Sequence, residues 1–520
     1  MIDSPNQQAT GRRIGWIWLL ALAGLGGSLL FRLVFLGDAR FAGDEAWLYT
    51  MARNTAEFDM FPFYGTHVTG SAVNVPGGTY HLLMAVPLLF TDSPMGPMVL
   101  TVVLGVLGLA LGWRVFHREY GTMAALAVLA LALFNPFSVL FGDRHWNPNI
   151  LIPLGFLWIF LVIRAFRGEG RRTWMWLTAL LVVAPQIHLS CTHLTLLTVA
   201  AVAVTRPARL PWRHVLVGFF IGFLTYGPYL VWDGLADFKN TRALLTHVAG
   251  SAASPWEAAR AVYYQVLYGA GDYTYVIAKG NWFPMTEWGF YGGKGWSLMK
   301  DFLGLPGPSG YLWAGFLVVA VALSAGGHLA LLGDQAVRLA RMGRQAALKD
   351  PLATLCLLNL PLLAGTLLLA RKAFYPHYSI VLFPLALVPA AWLISRLSGR
   401  ALRWVLVPVV LGIAVTHGVL TSRVYQRDEA PVSYSVQREA AAVIMKDARG
   451  ARVAVGFRVP RTRIGGYPMR VLASEYLGGR IHESSKSRIR YTIVPPHHAM
   501  ADRAVKVWEV GSMWLVKTIR

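Results

Sequence analysis

The chain has 520 residues, of which 55% are hydrophobic and only 14% charged, with a mean hydropathy of +0.47; soluble domains carry about a quarter charged residues and disordered chains few apolar ones, so both classes are excluded. A balance of 48 Lys and Arg against 26 Asp and Glu leaves a formal charge of +22. In so apolar a chain, basic residues mark cytoplasmic loops and anionic headgroups before nucleic acid, and no nucleic-acid partner is expected.

The composition predicts a polytopic α-helical membrane protein. Residues 1–13 are polar and end in Arg12-Arg13; the apolar stretch Ile14 to Leu36 that follows lacks a small-residue cleavage site and is expected to stay as the first span. A helix needs about 20 apolar residues to cross the hydrocarbon. On that measure, further spans are expected at about 97–116, 121–141, 149–166, 173–186, 188–205, 214–232, 310–332, 351–370, 378–395 and 403–420, which makes about eleven in all. Tyr80 to Phe90 is too short to span and contains Pro87, so it is expected as a re-entrant or interfacial helix.

The charges support that choice. With the N-terminus inside, every predicted cytoplasmic loop is basic: Arg114 and Arg118; Arg164, Arg167, Arg171 and Arg172; Arg206, Arg209 and Arg213; Arg338, Arg341, Arg344 and Lys349; Arg396, Arg400 and Arg403. Counting the short patch as a span would place the later clusters outside, against the positive-inside rule. Cys191 and Cys356 both lie in apolar runs, which leaves no disulfide framework.

Four external segments stand out. The first, within 37–96, holds Gly43-Asp44-Glu45-Ala46-Trp47. The second is the turn Gly142-Asp143-Arg144-His145-Trp146-Asn147-Pro148-Asn149. The third, within 233–309, is rich in aromatic residues, among them Trp256, Tyr263, Tyr264, Tyr268, Trp282, Trp288 and Trp296, which suit either an interfacial belt or sugar stacking. The fourth is Arg371-Lys372-Ala373-Phe374-Tyr375-Pro376-His377-Tyr378. The transmembrane region is expected over 1–420 and a small, basic, extracytoplasmic α/β domain over 421–520. In that domain helices are expected at Ser433 to Asp447 and Val471 to Leu477, strands at Arg452 to Val459 and Arg488 to Val494, and a final hairpin turned at Gly511-Ser512.

The acidic pair in the first external loop, the Asp-containing turn after the third span, the His- and Tyr-bearing last external loop and the external C-terminal domain together resemble the GT-C membrane glycosyltransferases. The likeness is to the branch of protein mannosyltransferase-like enzymes, aminoarabinose transferases acting on lipid A and galacturonosyltransferases of lipopolysaccharide core. The resemblance implies an enzyme of the bacterial inner membrane. It would take a sugar from a polyprenyl-phosphate carrier and pass it to an envelope acceptor, a lipid A or core glycolipid, another glycolipid or a protein, on the outer face. It also implies Asp44 as catalytic carboxylate with Glu45 as its partner.

The chemistry supports these roles from the residues. Displacing a phosphate from an anomeric carbon needs a base for the acceptor and cationic or hydrogen-bonding groups for the leaving phosphate. Asp44 suits the first role; Arg371, Lys372, His377 and Tyr378 suit the second. Asp143, Arg144 and His145 form a second acidic motif. Each has a plainer reading: Asp44 and Glu45 as helix caps, Asp143-Arg144 as a local ion pair, Arg371-Lys372 as snorkelling residues. Arg32, inside the first span, either snorkels or is functional.

His188 and His193 form a possible polar site one turn apart. A divalent metal there is possible but not favoured, since a third ligand is not evident and the second motif offers one acid, Asp143, beside Asn147 and Asn149; no cofactor is expected. The alternative to a transferase is a transporter or flippase of lipid-linked sugars. Against it stand polar residues gathered at one side and the lack of an inverted repeat of broken helices.

Overall fold

The structure, a computed structural model, describes residues 6–68, 73–205, 210–249, 255–271, 308–343, 345, 350–370, 376–397, 400–425, 433–457, 467–477, 479–483, 487–494, 496, 500 and 504–519. Arg371, Lys372, Trp282, Trp288 and Trp296 lie outside these residues.

Each of the eleven expected stretches is helical, whole or broken. Among the described residues, six helices are long and apolar enough to cross a membrane unaided: Trp16–Val34 within α1 (Asn6–Val34), α4 (Met95–Tyr120), Asn147–Phe166 ending in α7 (Leu151–Phe166), Gly315–Met342 across α14 (Pro308–Val321) and α15 (Gly327–Met342), Pro351–Leu368 in α16 (Pro351–Ala370), and Val405–Ser422 in α18 (Arg400–Val424). The stretch over 214–232 becomes α10 (Trp212–Leu224) and α11 (Gly227–Leu235), bent by 50°. The bend falls at Gly227-Pro228, where proline supplies no amide and starts a new helix. The remaining stretches are shorter: α5 (Thr122–Leu133) with α6 (Pro136–Leu140), α8 (Arg171–Ile187), Leu189–Thr205 with α9 (Thr192–Thr205), and Ile380–Arg396 with α17 (Phe383–Arg396). The patch expected as re-entrant or interfacial is the short helix α3 (Thr79–Leu88).

Lipid is as apolar as leucine, so these helices gain little by hiding greasy faces and associate instead through close packing and interhelical hydrogen bonds. Helix α10 shows the first device: a Cβ on Gly218 would lie 2.1 Å from the carbonyl oxygen of Met175, and one on Gly222 would lie 2.6 Å from Val182 Cβ, so only glycine at both positions lets α10 rest against α8. The second recurs across the bundle, as in Trp158 Nε1 to Thr198 Oγ1 at 2.9 Å and His193 Nε2 to Asn359 Oδ1 at 3.0 Å.

The bundle has two chemically distinct ends. At one, Arg118 pairs with Glu169, Arg167 with Glu119, and Arg164 with Glu169 at 3.3 Å. There Tyr120 also donates to Asp350 at 2.9 Å, ahead of α16. These are the loops expected to be cytoplasmic. At the other end stand the first loop, the turn 141–149 and the C-terminal domain.

The first loop forms α2 (Gly43–Ala56) and the antiparallel pair β1 (Tyr64–His67) and β2 (Asn74–Pro76) before α3. Polar staples fasten it to the bundle: Asn147 Nδ2 donates to Thr66 Oγ1 at 3.2 Å and to the carbonyl of Ile187 at 2.9 Å, and Thr79 Oγ1 donates to Gln186 Oε1 at 2.6 Å. From the third external segment, α12 (Lys239–Ala249) joins in, as Asn240 exchanges hydrogen bonds with the backbone of Asn74 at 2.8 and 2.9 Å. Of the aromatic residues expected as a belt there, Tyr264 and Tyr268 are core residues instead. Both pack edge-on against Phe137, and Tyr268 shares a 2.7 Å hydrogen bond with Ser379.

The small C-terminal domain is present. Its four-stranded sheet runs in the order β3 (Ala454–Phe457), β4 (Ile489–Val494), β6 (Met513–Ile519), β5 (Lys506–Val510). Strand β3 is parallel to β4 and the other pairs are antiparallel. Helix α19 (Tyr434–Ala448) begins at Ser433, whose Oγ accepts the Val436 amide. The short helix α20 (Tyr467–Val471) follows β3, and the hairpin turns at Gly511 with φ +56°.

Candidate active site

The site is assembled around a charge inside the first span. Arg32 is 1% exposed and does not snorkel. Its Nη1 donates to the carbonyl of Ser138 at 2.7 Å, its Nη2 to Ser138 Oγ at 2.8 Å, and its Nε to Ser28 Oγ at 3.3 Å, while Asp143 attracts its charge. Those acceptors exist because Pro136 breaks the third span: Asn135 caps α6, accepting the Phe137 amide at 2.9 Å and donating to the carbonyls of Leu131 and Tyr268. The chain must also pass very near the guanidinium. A Cβ on residue 142 would lie 2.2 Å from Arg32 Nη1, which accounts for Gly142. Asp143, Arg144 and His145 follow, all buried.

Asp44 and Glu45 share the first turn of α2 and have opposite surroundings. Glu45 is buried, and its Oε2 accepts the Ala42 amide at 3.0 Å, so the capping role holds for this residue. Burial raises its pKa; Arg40 and Arg144 oppose the rise and the charge on Asp44 adds to it. Asp44 is exposed at the rim, and among the described residues its carboxylate has no hydrogen-bond or ion-pair partner.

From Glu45 a wall of rings runs across the site. Trp47 lies 5.5 Å from His81, and Tyr80 lies 5.9 Å from both His81 and His145. The next residue, Trp146, packs 5.1 Å from His377, which in turn faces Tyr378 at 4.4 Å and His188 at 5.7 Å. Burial lowers His81 to about 4; burial and then His81 lower His145 to about 3. Burial, followed by the nearby His188, holds His377 well below the usual imidazole range. Burial, with the negative charge of Glu45, keeps the Tyr80 phenol protonated. The wall is therefore a neutral hydrogen-bonding surface at neutral pH.

The structure thus brings Glu45, Arg144, His145, His188, His377 and Tyr378 into one neighbourhood with Asp44 at its edge. It separates His188 from His193. His188 Nδ1 meets Ser190 Oγ at 2.8 Å, whereas His193 turns to Asn359 in the bundle. Among the described residues no group of three or more His, Cys, Asp or Glu is placed to hold a metal ion. Tyr80 and His81 are members of the wall that sequence reasoning missed. The signal was there, a titratable residue inside an apolar patch, but the patch reads first as an interfacial helix.

The sequence matches no protein-family model and no curated protein. Solved structures do match. ArnT from Cupriavidus metallidurans in the apo state aligns with a TM-score of 0.54 and 13% identity over 97% of this chain and 98% of that one. The same protein bound to undecaprenyl phosphate aligns with a TM-score of 0.52 and 13% identity over the same shares. The chain shares the fold of these ArnT structures.

Arg32→Met leaves the acceptors of Ser28 and Ser138 without their donor, removes the positive charge that attracts Asp143, and should cost about 3 kcal/mol or more in denaturant unfolding in detergent. Arg32→Lys should recover only part, because a single ammonium cannot reproduce the fork; wild-type stability in the Met variant would refute the clamp. For the histidines, a folded pKa below the unfolded value of about 6.5 means that their contribution is complete above pH 6.5. It is lost as pH falls towards about 4 for His81 and about 3 for His145. A His81→Gln/His145→Gln double variant should show a shallower drop in unfolding temperature between pH 6.5 and 4.5; an equal drop would sink the assignment.

Proposed function

We propose that this chain, built on a GT-C glycosyltransferase fold, moves a sugar from a polyprenyl-phosphate carrier to an envelope acceptor, with Asp44 as general base. The acceptor class is a lipid A or core glycolipid, another glycolipid or a protein. The site end of the bundle faces the outer side of a bacterial-type inner membrane, with the N-terminus cytoplasmic and the C-terminal domain periplasmic. What carries the reading is the meeting at one end of the bundle of segments far apart in the chain: an exposed carboxylate, a buried Arg144 and a wall of neutral imidazoles. Support for the donor comes from the same fold in ArnT, one structure of which holds undecaprenyl phosphate.

In this mechanism the acceptor hydroxyl gives its proton to an oxygen of Asp44 while its oxygen forms a bond to the anomeric carbon. The bond from that carbon to the phosphate oxygen breaks, and the carrier leaves as polyprenyl phosphate. Asp44 suits the base because exposure keeps its carboxylate in contact with an incoming acceptor, whereas Glu45 is held by the Ala42 amide and burial. Adjacent carboxylates in unlike surroundings divide the work. Arg371 and Lys372, with His377 and Tyr378 beside them in sequence, take the charge developing on the phosphate. His81, His145 and Tyr80 offer neutral donors and acceptors to sugar hydroxyls.

The test supplies purified protein in nanodiscs with radiolabelled polyprenyl-phosphate sugars and an envelope lipid extract. Wild type should move label to a new lipid or protein band. Asp44→Asn should lower transfer about 10²-fold or more with carrier binding retained. Wild-type turnover in Asp44→Asn would remove the base assignment, and label that crosses sealed vesicles chemically unchanged would favour a flippase.

A further inference from the structure

The link between α1 and α2 is short, and the C-terminal domain grips it. The Tyr434 amide donates to the carbonyl of Ala39 at 2.9 Å, Arg40 and Ser433 form an antiparallel bridge, and Gln437 Nε2 donates to the carbonyl of Phe41. Phe41 and Tyr434 meet edge to face at 5.9 Å, and Phe41, Tyr434 and Gln437 are fully buried. One residue further on, Ala42 is held from the other side by Glu45. Helix α20 of the same domain packs on α2 itself. Phe35 at the end of the first span stacks on Tyr425 at the end of the last, 5.3 Å apart, so both ends of the grip are anchored in the bundle.

Asp44 lies three residues beyond Phe41, and no described side chain holds its carboxylate. Its place is set by the backbone of the first turn of α2 alone, and that backbone is positioned by the grip. We propose that Gln437, reaching from the C-terminal domain to the Phe41 carbonyl, is a positioning residue that sets where the Asp44 carboxylate stands. The proposal rests on the transferase reading for its consequence in turnover and on the contact itself for its consequence in local order. The domain is then a working part of the site, since an error of about 1 Å in a reacting group can cost about 10²-fold in rate.

Gln437→Met keeps the volume and removes the donor. In full-length protein in nanodiscs it should lower kcat at least about tenfold while KM for the polyprenyl-phosphate sugar stays within about twofold. Hydrogen exchange across residues 36–45 should quicken, with the unfolding temperature little changed. Unchanged kcat, or a loss confined to KM, overturns the proposal. If wild type itself transfers no sugar, the functional reading fails while exchange over 36–45 still tests the grip, and exchange equal to wild type overturns it. Should Gln437→Met not fold, Phe41→Leu trims the ring on Tyr434 with Gln437 intact; the same fall in kcat at constant KM supports the grip, and wild-type kcat with wild-type exchange refutes it.

Discussion

A guanidinium placed among transmembrane helices must find its acceptors in protein, because hydrocarbon has none to offer. Arg32 meets this demand with the carbonyl and hydroxyl of Ser138 and the hydroxyl of Ser28. Meeting it shapes everything nearby. The third span must break at Asn135-Pro136 to turn carbonyls toward the charge, and the chain must then come close enough that residue 142 has no room for a side chain. The turn bearing Asp143, Arg144 and His145 is therefore drawn against the end of the first span, close to the acidic helix that leaves it.

That arrangement explains why the site is buried in part and open in part. The turn supplies Arg144 to offset Glu45 and His145 to face Tyr80. Trp146 carries the packing on to His377, and Asn147 ties the first loop down over α8. Of the described carboxylates Asp44, Glu45 and Asp143, only Asp44 is exposed, on a turn fixed from beneath by Glu45 and from the side by the C-terminal domain.

The two ends of the bundle divide the remaining labour. Arginines and a few carboxylates make exposed or half-exposed ion pairs at one end, where each pair contributes little to stability. At the other end Tyr80, His81, Arg144, His145 and His377 are buried together in one polar neighbourhood.

Composition, hydropathy and charge were enough to establish a polytopic helical protein with about eleven helical stretches, a short helix in the first loop and a terminal α/β domain. Each of these follows from local pattern: span length from bilayer thickness and strand alternation from the pleat. Asp44, Glu45, Asp143 to His145, His377 and Tyr378 could be singled out as candidates, because polar groups on turns between apolar stretches are conspicuous in an apolar chain. What the sequence left open was partnership. Whether Arg32 snorkels or organises a turn, whether His188 looks to His193 or to His377, and that Tyr80 and His81 belong to the site depend on which helices pack together. The same holds for Gln437, separated from Phe41 by most of the chain. Such contacts are set by helix packing and by the need of each buried polar group for a partner, a constraint that acts across the whole molecule and leaves no local mark.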